Sequence, residues 1–166
     1  ISNALGYTAQ MVSTEDMRRD ARAALDAAVA EVQPSNLVPR LLRSQGGSLV
    51  LDGERWPKVG GRRVVMAIGK AAPGLADAWL AAAADWADEV WVLTPHNAPA
   101  TARLAAGVTI LRGSHPFPDA AGEAATRHLL EVAASLGSDD LLVVLLSGGG
   151  SALLAAPVAG IELAEV

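Results

Sequence analysis

Short, continuous apolar runs alternate with amphipathic stretches over the last two thirds of this chain. Four of the runs have the length of strands, and unbroken apolar sequence is typical of strands covered on both faces of a sheet. These runs are residues 64–68, 90–93, 108–111 and 141–146. The last of them is the longest, and we interpret it as the most buried strand.

Amphipathic helices are predicted after the first strand and between the third and fourth. Pro73 suits the first turn of the earlier helix. The later one is predicted to be capped by Asp119, to turn Ala125 and Leu129 inward, and to end at Gly137. Strands that alternate with amphipathic helices indicate an α/β fold class: a doubly wound, mostly parallel, Rossmann-like sheet with helices on both faces.

The N-terminal third follows a different pattern. Ser13 is predicted to cap a helix whose apolar stripe ends before Pro34, and a short second helix is expected over 36–43. Residues 46–59 predict a hairpin that turns at Asp-Gly. We interpret 1–10 as a tag or disordered leader and 11–166 as an incomplete, truncated α/β domain, in which a helix begins at Ser151 and Pro157 breaks it.

Composition excludes several classes of function. The chain of 166 residues is 51% hydrophobic and 19% charged, which excludes disorder as the main state, and no apolar run approaches the ~18 residues of a membrane span. It contains no cysteine and three histidines, so disulfides are excluded and no metal site is predicted. The net charge of −5 does not favour nucleic acid. We expect a cytoplasmic protein without nucleic-acid or membrane partners.

A glycine-rich loop is the sharpest chemical signal. Ser147, Gly148, Gly149, Gly150 and Ser151 follow the last strand directly and precede a predicted helix. Consecutive glycines expose backbone N–H groups without side-chain obstruction, and a helix start adds more donors, so an anion is the natural ligand. Phosphate and carboxylate both fit this pattern, and a plain strand-to-helix turn is the alternative. The loop has neither a Walker A sequence nor a dinucleotide fingerprint.

Two further side chains are candidates for the same edge of the sheet. Lys70 follows the first parallel strand and could direct its ammonium group at a transferred phosphate, although a lysine at a helix start is often merely solvated. His115 lies in a loop stiffened by two prolines and could bind substrate, act as a base, or satisfy a backbone carbonyl. Asp119 is interpreted as a helix cap, and residues 94–97 are weaker candidates for lining the crevice.

Three segments together resemble the glycerate 2-kinase family, whose members are often labelled hydroxypyruvate reductase. They read Val-Met-Ala-Ile-Gly-Lys-Ala-Ala at 65–72, Ser-His-Pro-Phe-Pro-Asp at 114–119, and Leu-Ser-Gly-Gly-Gly-Ser-Ala-Leu at 146–153. Residues 24–29 and 33–41 also resemble that family's first helices. The resemblance extends from about Met17 to Leu163. This stretch is nearly all of the chain but corresponds to well under half the length of a family member. Residues 94–97 depart from the family, which tends to have Thr-Lys and a Gly-His pair there.

This resemblance implies a two-domain kinase with its active site between a Rossmann-like N-terminal domain and a smaller C-terminal domain. Lys70 matches the family's functional lysine, and the glycine loop matches its anion-binding loop. The implied reaction is ATP-dependent phosphorylation of glycerate at its 2-hydroxyl, with Mg²⁺. We interpret this chain as lacking the C-terminal domain, so we expect the 166 residues alone to be inactive.

Two other functions stay open. One is NAD(P)H-dependent reduction of hydroxypyruvate, which fits poorly because Gly-Lys-Ala-Ala-Pro follows the first parallel strand where a glycine fingerprint would be expected. The other is a non-catalytic module that binds a sugar phosphate in the same cradle. The sequence does not determine which hydroxyl is phosphorylated or the oligomeric state, with a homodimer among the alternatives.

Overall fold

The computed structural model of the protein describes residues 12–57, 59–99 and 107–165. The chain divides into two compact units, with the boundary between Gln33 and Pro34. The first unit contains helix α1, Thr14–Glu31, and the Oγ of Ser13 accepts a hydrogen bond from the backbone N–H of Asp16 as its cap. The predicted first helix is therefore confirmed. The predicted leader, 1–10, lies outside the described residues.

The second unit opens with a short helix and an antiparallel sheet in the order β1-β2-β3. These elements are α2, Pro34–Leu41, β1, Leu42–Gln45, β2, Ser48–Leu51, and β3, Glu54–Trp56. The predicted hairpin is confirmed as β2 and β3. The predicted helix over 36–43 is wrong at its end, where Leu42 and Arg43 pair with β2 instead. Gly46 and Gly47 both adopt positive φ, which allows the chain to reverse there and form a third strand.

A parallel four-stranded sheet forms the centre of the second unit, in the order β6-β5-β4-β7. Its strands are β4, Arg63–Ile68, β5, Glu89–Pro95, β6, Val108–Gly113, and β7, Leu141–Leu146. The helices are α3, Ala72–Ala83, α4, Ala120–Ala134, and α5, Gly150–Leu153, followed by a 3₁₀ turn, Leu163–Glu165. All four predicted strands are confirmed, although α4 ends before the predicted Gly137. The fold class is α/β and Rossmann-like.

Helices cover both faces of this sheet. Val65 and Ala67 of β4 pack on the side of α3 with Trp79, whereas Val64 and Met66 pack on the side of α4 with Ala125 and Leu129, among others. Every residue of β4 is buried, which makes it the central strand. No helix in the described part of the chain combines the length and the apolar character needed to cross a membrane.

The prediction that 141–146 is the most buried strand is wrong. Within the described residues β7 pairs only with β4, so it forms one edge of the sheet. Val144 and Leu146 are 50% and 65% exposed. Continuous apolar sequence predicted burial on both faces, but the number of neighbouring strands decides how much of each face is covered.

Strand order also determines where a crevice opens. The chain runs from β4 outward to β5 and β6, and then returns to add β7 on the other side of β4. Such a reversal is a topological switch point, and ligands of open α/β sheets bind beside it at the carboxyl ends of the strands. Ile68 pairs with Leu146, so β4 and β7 end at the same level. The loops that carry Lys70 and the glycines therefore emerge side by side.

Candidate functional site

Hydrogen bonds join the loops that follow β4 and β7. The backbone N–H of Lys70 donates to the carbonyl of Gly148 at 2.9 Å. The Oγ of Ser147 accepts from the N–H of Ala71 at 3.1 Å and donates to the carbonyl of Ile68 at 3.2 Å. Because Ala71 has no side-chain cap of its own, Ser147 satisfies one of the free N–H groups at the start of α3 from a distant loop. The hydroxyl of Ser147, a predicted anion ligand, is thus engaged within the protein.

Gly69 makes this close approach feasible. Its φ is +119°, a conformation that side-chain-bearing residues rarely adopt. A β-carbon there would also meet the side chain of Ser147 and would lie 2.6 Å from the backbone oxygen of the same residue. The contact between the two loops therefore requires glycine at position 69.

The glycine loop itself presents free backbone donors. Within the described part of the chain, the N–H groups of Gly148, Gly149, Gly150 and Ser151 donate to no protein acceptor. Gly149 has a φ of +90°, and no atom lies within 4 Å of a β-carbon placed on Gly148. The helix that follows, α5, has only four residues, and Gly150 and Ser151 lie in its first turn. Two of the free N–H groups therefore belong to the helix start, and anion binding here would depend on these backbone donors.

Lys70 and His115 meet the glycine loop at Gly149. A β-carbon on Gly149 would lie 2.9 Å from Cδ2 and 3.1 Å from Nε2 of His115, and 3.1 Å from Cγ of Lys70. Lys70 is exposed and His115 is half-buried. The structure therefore brings together the predicted lysine, the predicted histidine and the predicted loop around a single glycine.

Asp119 anchors the loop that carries His115. Its Oδ1 accepts hydrogen bonds from the N–H groups of Gly122 and Ser114, so the predicted helix cap is confirmed. Its Oδ2 lies 2.8 Å from Nε2 of His96, which follows the end of β5. The hydrogen bond to His96, followed by that to the Gly122 N–H, holds the pKa of Asp119 below its ordinary value. One carboxylate thus joins two loops at the carboxyl end of the sheet.

A small cavity lies between these two loops. Its volume is about 140 Å³, and it is lined by Pro95, His96, Asn97, Ser114 and His115. His115 thus faces both this cavity and the position of Gly149. The residues that follow β5 were weak candidates in the sequence, and the cavity gives them a definite place beside the predicted site.

Sequence reasoning missed three of these relationships. Neither the hydroxyl of Ser147 at α3, nor the steric need for Gly69, nor the pair formed by His96 and Asp119 was predicted. All of them depend on which strand ends are neighbours. The only sequence signal was that each residue follows a strand or precedes a helix.

The described residues form no cluster of metal-ligating side chains. No group of three or more His, Asp or Glu side chains within 12–57, 59–99 and 107–165 is placed to hold a metal ion. The described side chains therefore do not form a Mg²⁺ site by themselves.

Two solved structures have a similar fold. The PH0495 protein from Pyrococcus horikoshii OT3 matches with a TM-score of 0.74 and 22% identity over 89% of this chain. A glycerate kinase from Thermotoga maritima matches with a TM-score of 0.69 and 26% identity over 91% of this chain. The match covers 33% of each of those proteins, so this chain spans about a third of their length. No curated protein sequence matches significantly.

Residues 20–166 match the family described as a domain of unknown function, DUF4147. That stretch contains every element of the parallel sheet, the glycine loop and Lys70. The chain therefore belongs to the DUF4147 family, and one of its structural neighbours is a glycerate kinase.

Proposed function

We propose that the full-length protein is a kinase that transfers the γ-phosphoryl group of ATP to the 2-hydroxyl of glycerate. The observation that carries the proposal is the convergence of Lys70, His115 and the unpaired N–H groups of the glycine loop at the switch point of the sheet. Phosphoryl transfer depends mainly on positioning and on stabilisation of negative charge, which loop amides and an ammonium group provide.

Each of these groups would have a distinct role in phosphoryl transfer. The N–H groups from Gly148 to Ser151 bind phosphate oxygens of the nucleotide. The Lys70 ammonium, on a flexible stem, follows the charge on the transferred group. The hydroxyl oxygen forms a bond to the γ-phosphorus while the bond to the bridging oxygen breaks, and ADP leaves with that electron pair. The hydroxyl proton passes to the imidazole of His115, a group suited to proton transfer near neutral pH.

The similarity to a glycerate kinase supports glycerate as the acceptor of the phosphoryl group. Mg²⁺ would accompany the nucleotide phosphates, and we assign it no step because the described residues do not form a site for it. A nicotinamide reductase is less well supported: the turn after β4 has Gly69 held against Ser147, and the chain lacks the glycine fingerprint that would admit a pyrophosphate there.

Coupled assays on the full-length protein test this proposal. We expect ADP release that requires glycerate, with the product identified by ³¹P NMR as the 2-phosphate. NADH oxidation with hydroxypyruvate would instead identify a reductase. Binding of a sugar phosphate without turnover of either pair would identify a binding module. Either of the last two results would overturn the kinase proposal.

A further inference from the structure

We infer that the cavity between the end of β5 and the loop 114–119 is the acceptor subsite, and that it takes a small hydroxy acid. The inference rests on the proposed function and assigns a place to one of its two substrates. Size is the first argument. A volume of about 140 Å³ compares with roughly 30 Å³ for each molecule in liquid water. The cavity therefore suits a compound of three or four carbons.

Several hydrogen-bond acceptors around the cavity are already paired within the protein. The carbonyl of Pro95 accepts from Ala98 N–H and from Arg112, and the carbonyl of His96 accepts from the same guanidinium at 2.9 Å. The carboxylate of Asp119 accepts from Ser114 N–H and Gly122 N–H and pairs with His96.

Side chains on opposite walls supply the donors. Within the described residues, the side chains of Asn97, Ser114 and His115 form no hydrogen bond with the protein. An amide, a hydroxyl and an imidazole can each donate to an oxygen-rich ligand, and Arg112 lies behind the same loop with its positive charge. This set favours a hydroxyl-bearing carboxylate over an uncharged or cationic compound.

The position of His115 connects the cavity to the proposed phosphoryl donor. His115 lines the cavity, and its ring also lies beside Gly149, where Lys70 and the glycine loop meet. An acceptor held in the cavity would present its hydroxyl beside His115, on the side of the phosphate-binding groups. His96 is then a positioning residue, since its pair with Asp119 ties the β5 loop to the loop that carries His115.

Two variants of the full-length protein test the subsite. Asn97→Leu adds bulk at one wall of the cavity, and Ser114→Ala removes a donor from the other wall without adding volume. We expect each to raise the KM for glycerate at least about tenfold and to leave the KM for ATP within about twofold. Ser138→Leu, at an exposed position between α4 and β7, is the matched control and should change neither constant.

Calorimetric titration with glycerate and with glycerol separates this inference from the proposed function. Glycerate binding that both variants weaken supports the subsite even without turnover, in which case only the kinase proposal fails. Turnover with both KM values unchanged, or raised equally, overturns the subsite and leaves the kinase proposal standing. Glycerol binding as tight as glycerate binding overturns the assignment to an acid. Neither binding nor turnover of glycerate overturns both.

Discussion

The backbone N–H of Lys70 donates to the carbonyl of Gly148 across the ends of two neighbouring strands, at 2.9 Å. This bond consumes an acceptor of the glycine loop and leaves the loop's N–H groups free. It also fixes the start of the Lys70 side chain beside the loop, although 77 residues separate the bonded groups. A cationic side chain and a set of free donors are thus held at one end of the sheet, where their charges reinforce each other toward an anion.

Gly69→Ala should destabilise the protein severely. The added methyl group would lie 2.6 Å from the backbone oxygen of Ser147, and alanine would be forced to a φ of +119°. Such backbone strain alone costs about 1–3 kcal/mol, and the steric conflict adds to it. Urea denaturation of the full-length protein measures the loss.

Gly60→Ala is the control for this substitution. No atom lies within 4 Å of a β-carbon there, and its φ is not in the left-handed region. We expect its free energy of unfolding to change by less than about 0.5 kcal/mol. Equal stability of the two variants would contradict the proposed steric need for glycine at position 69.

Much of the fold could be predicted because it is encoded locally. The apolar runs gave all four parallel strands, and Asp119 and Pro73 marked helix starts, since capping and proline geometry act within a single turn. The antiparallel pairing of β1 and the edge position of β7 could not be predicted in this way. Both depend on which strands become neighbours, and the sequence of one strand does not contain that information.

The same difference between local features and contacts among distant segments applies to the candidate site. Lys70, His115 and the glycines were recognised because their residue types carry the chemistry. His96 was a weak candidate and its pairing with Asp119 was not predicted, because their hydrogen bond joins loops that follow different strands. The sequence also predicted Ser147 as part of the anion-binding loop. In the structure its hydroxyl joins two loops, and the free donors are the N–H groups of the residues that follow it.

Gly149→Val should weaken ligand binding at the glycine loop. A branched side chain would press on His115 and Lys70, whose atoms would lie 2.9–3.1 Å from its β-carbon. We expect the dissociation constant for ATP to rise at least about tenfold, as measured by calorimetry on the full-length protein.

Gly160→Val is the matched control, because it imposes the same kind of backbone strain without any contact at the site. The φ of Gly160 is +94°, and nothing lies within 4 Å of its β-carbon. ATP affinity should be retained in this variant. If both variants lose affinity equally, the effect comes from general backbone strain and the anion-binding assignment of the loop fails.

Asp119 should make stability depend on pH at the acidic end. Its pKa in the folded protein is lowered from 3.8, first by the hydrogen bond with His96. The unfolded state therefore binds the proton more tightly, and the stabilisation is fully present above about pH 3.8 and is lost as the pH falls through the lower folded value. Denaturation curves collected from pH 7 down to pH 2 would measure this loss.

Two substitutions separate the charge of Asp119 from its capping. Asp119→Ala removes both and should cost at least about 1 kcal/mol at pH 7. Asp119→Asn retains a good helix cap, so it should cost less at pH 7 while reducing the acid dependence. An Asn variant with the acid dependence of the wild type would show that other carboxylates produce it.

Lys70 should be essential for turnover and dispensable for folding. Its side chain is exposed, so Lys70→Ala removes little packing, and surface substitutions of this kind usually change stability by less than about 0.5 kcal/mol. Loss of one group that stabilises developing charge typically lowers kcat about 10²–10³-fold. Lys70→Arg should restore little of this, because a planar guanidinium differs in size and geometry from an ammonium.

Arg43→Ala, which removes an exposed cation from β1, is the control and should keep the wild-type kcat. Measuring kcat and Tm together on all three variants of the full-length protein decides the role: a near-normal kcat for Lys70→Ala would remove Lys70 from the mechanism, whereas a large fall in Tm would make it structural.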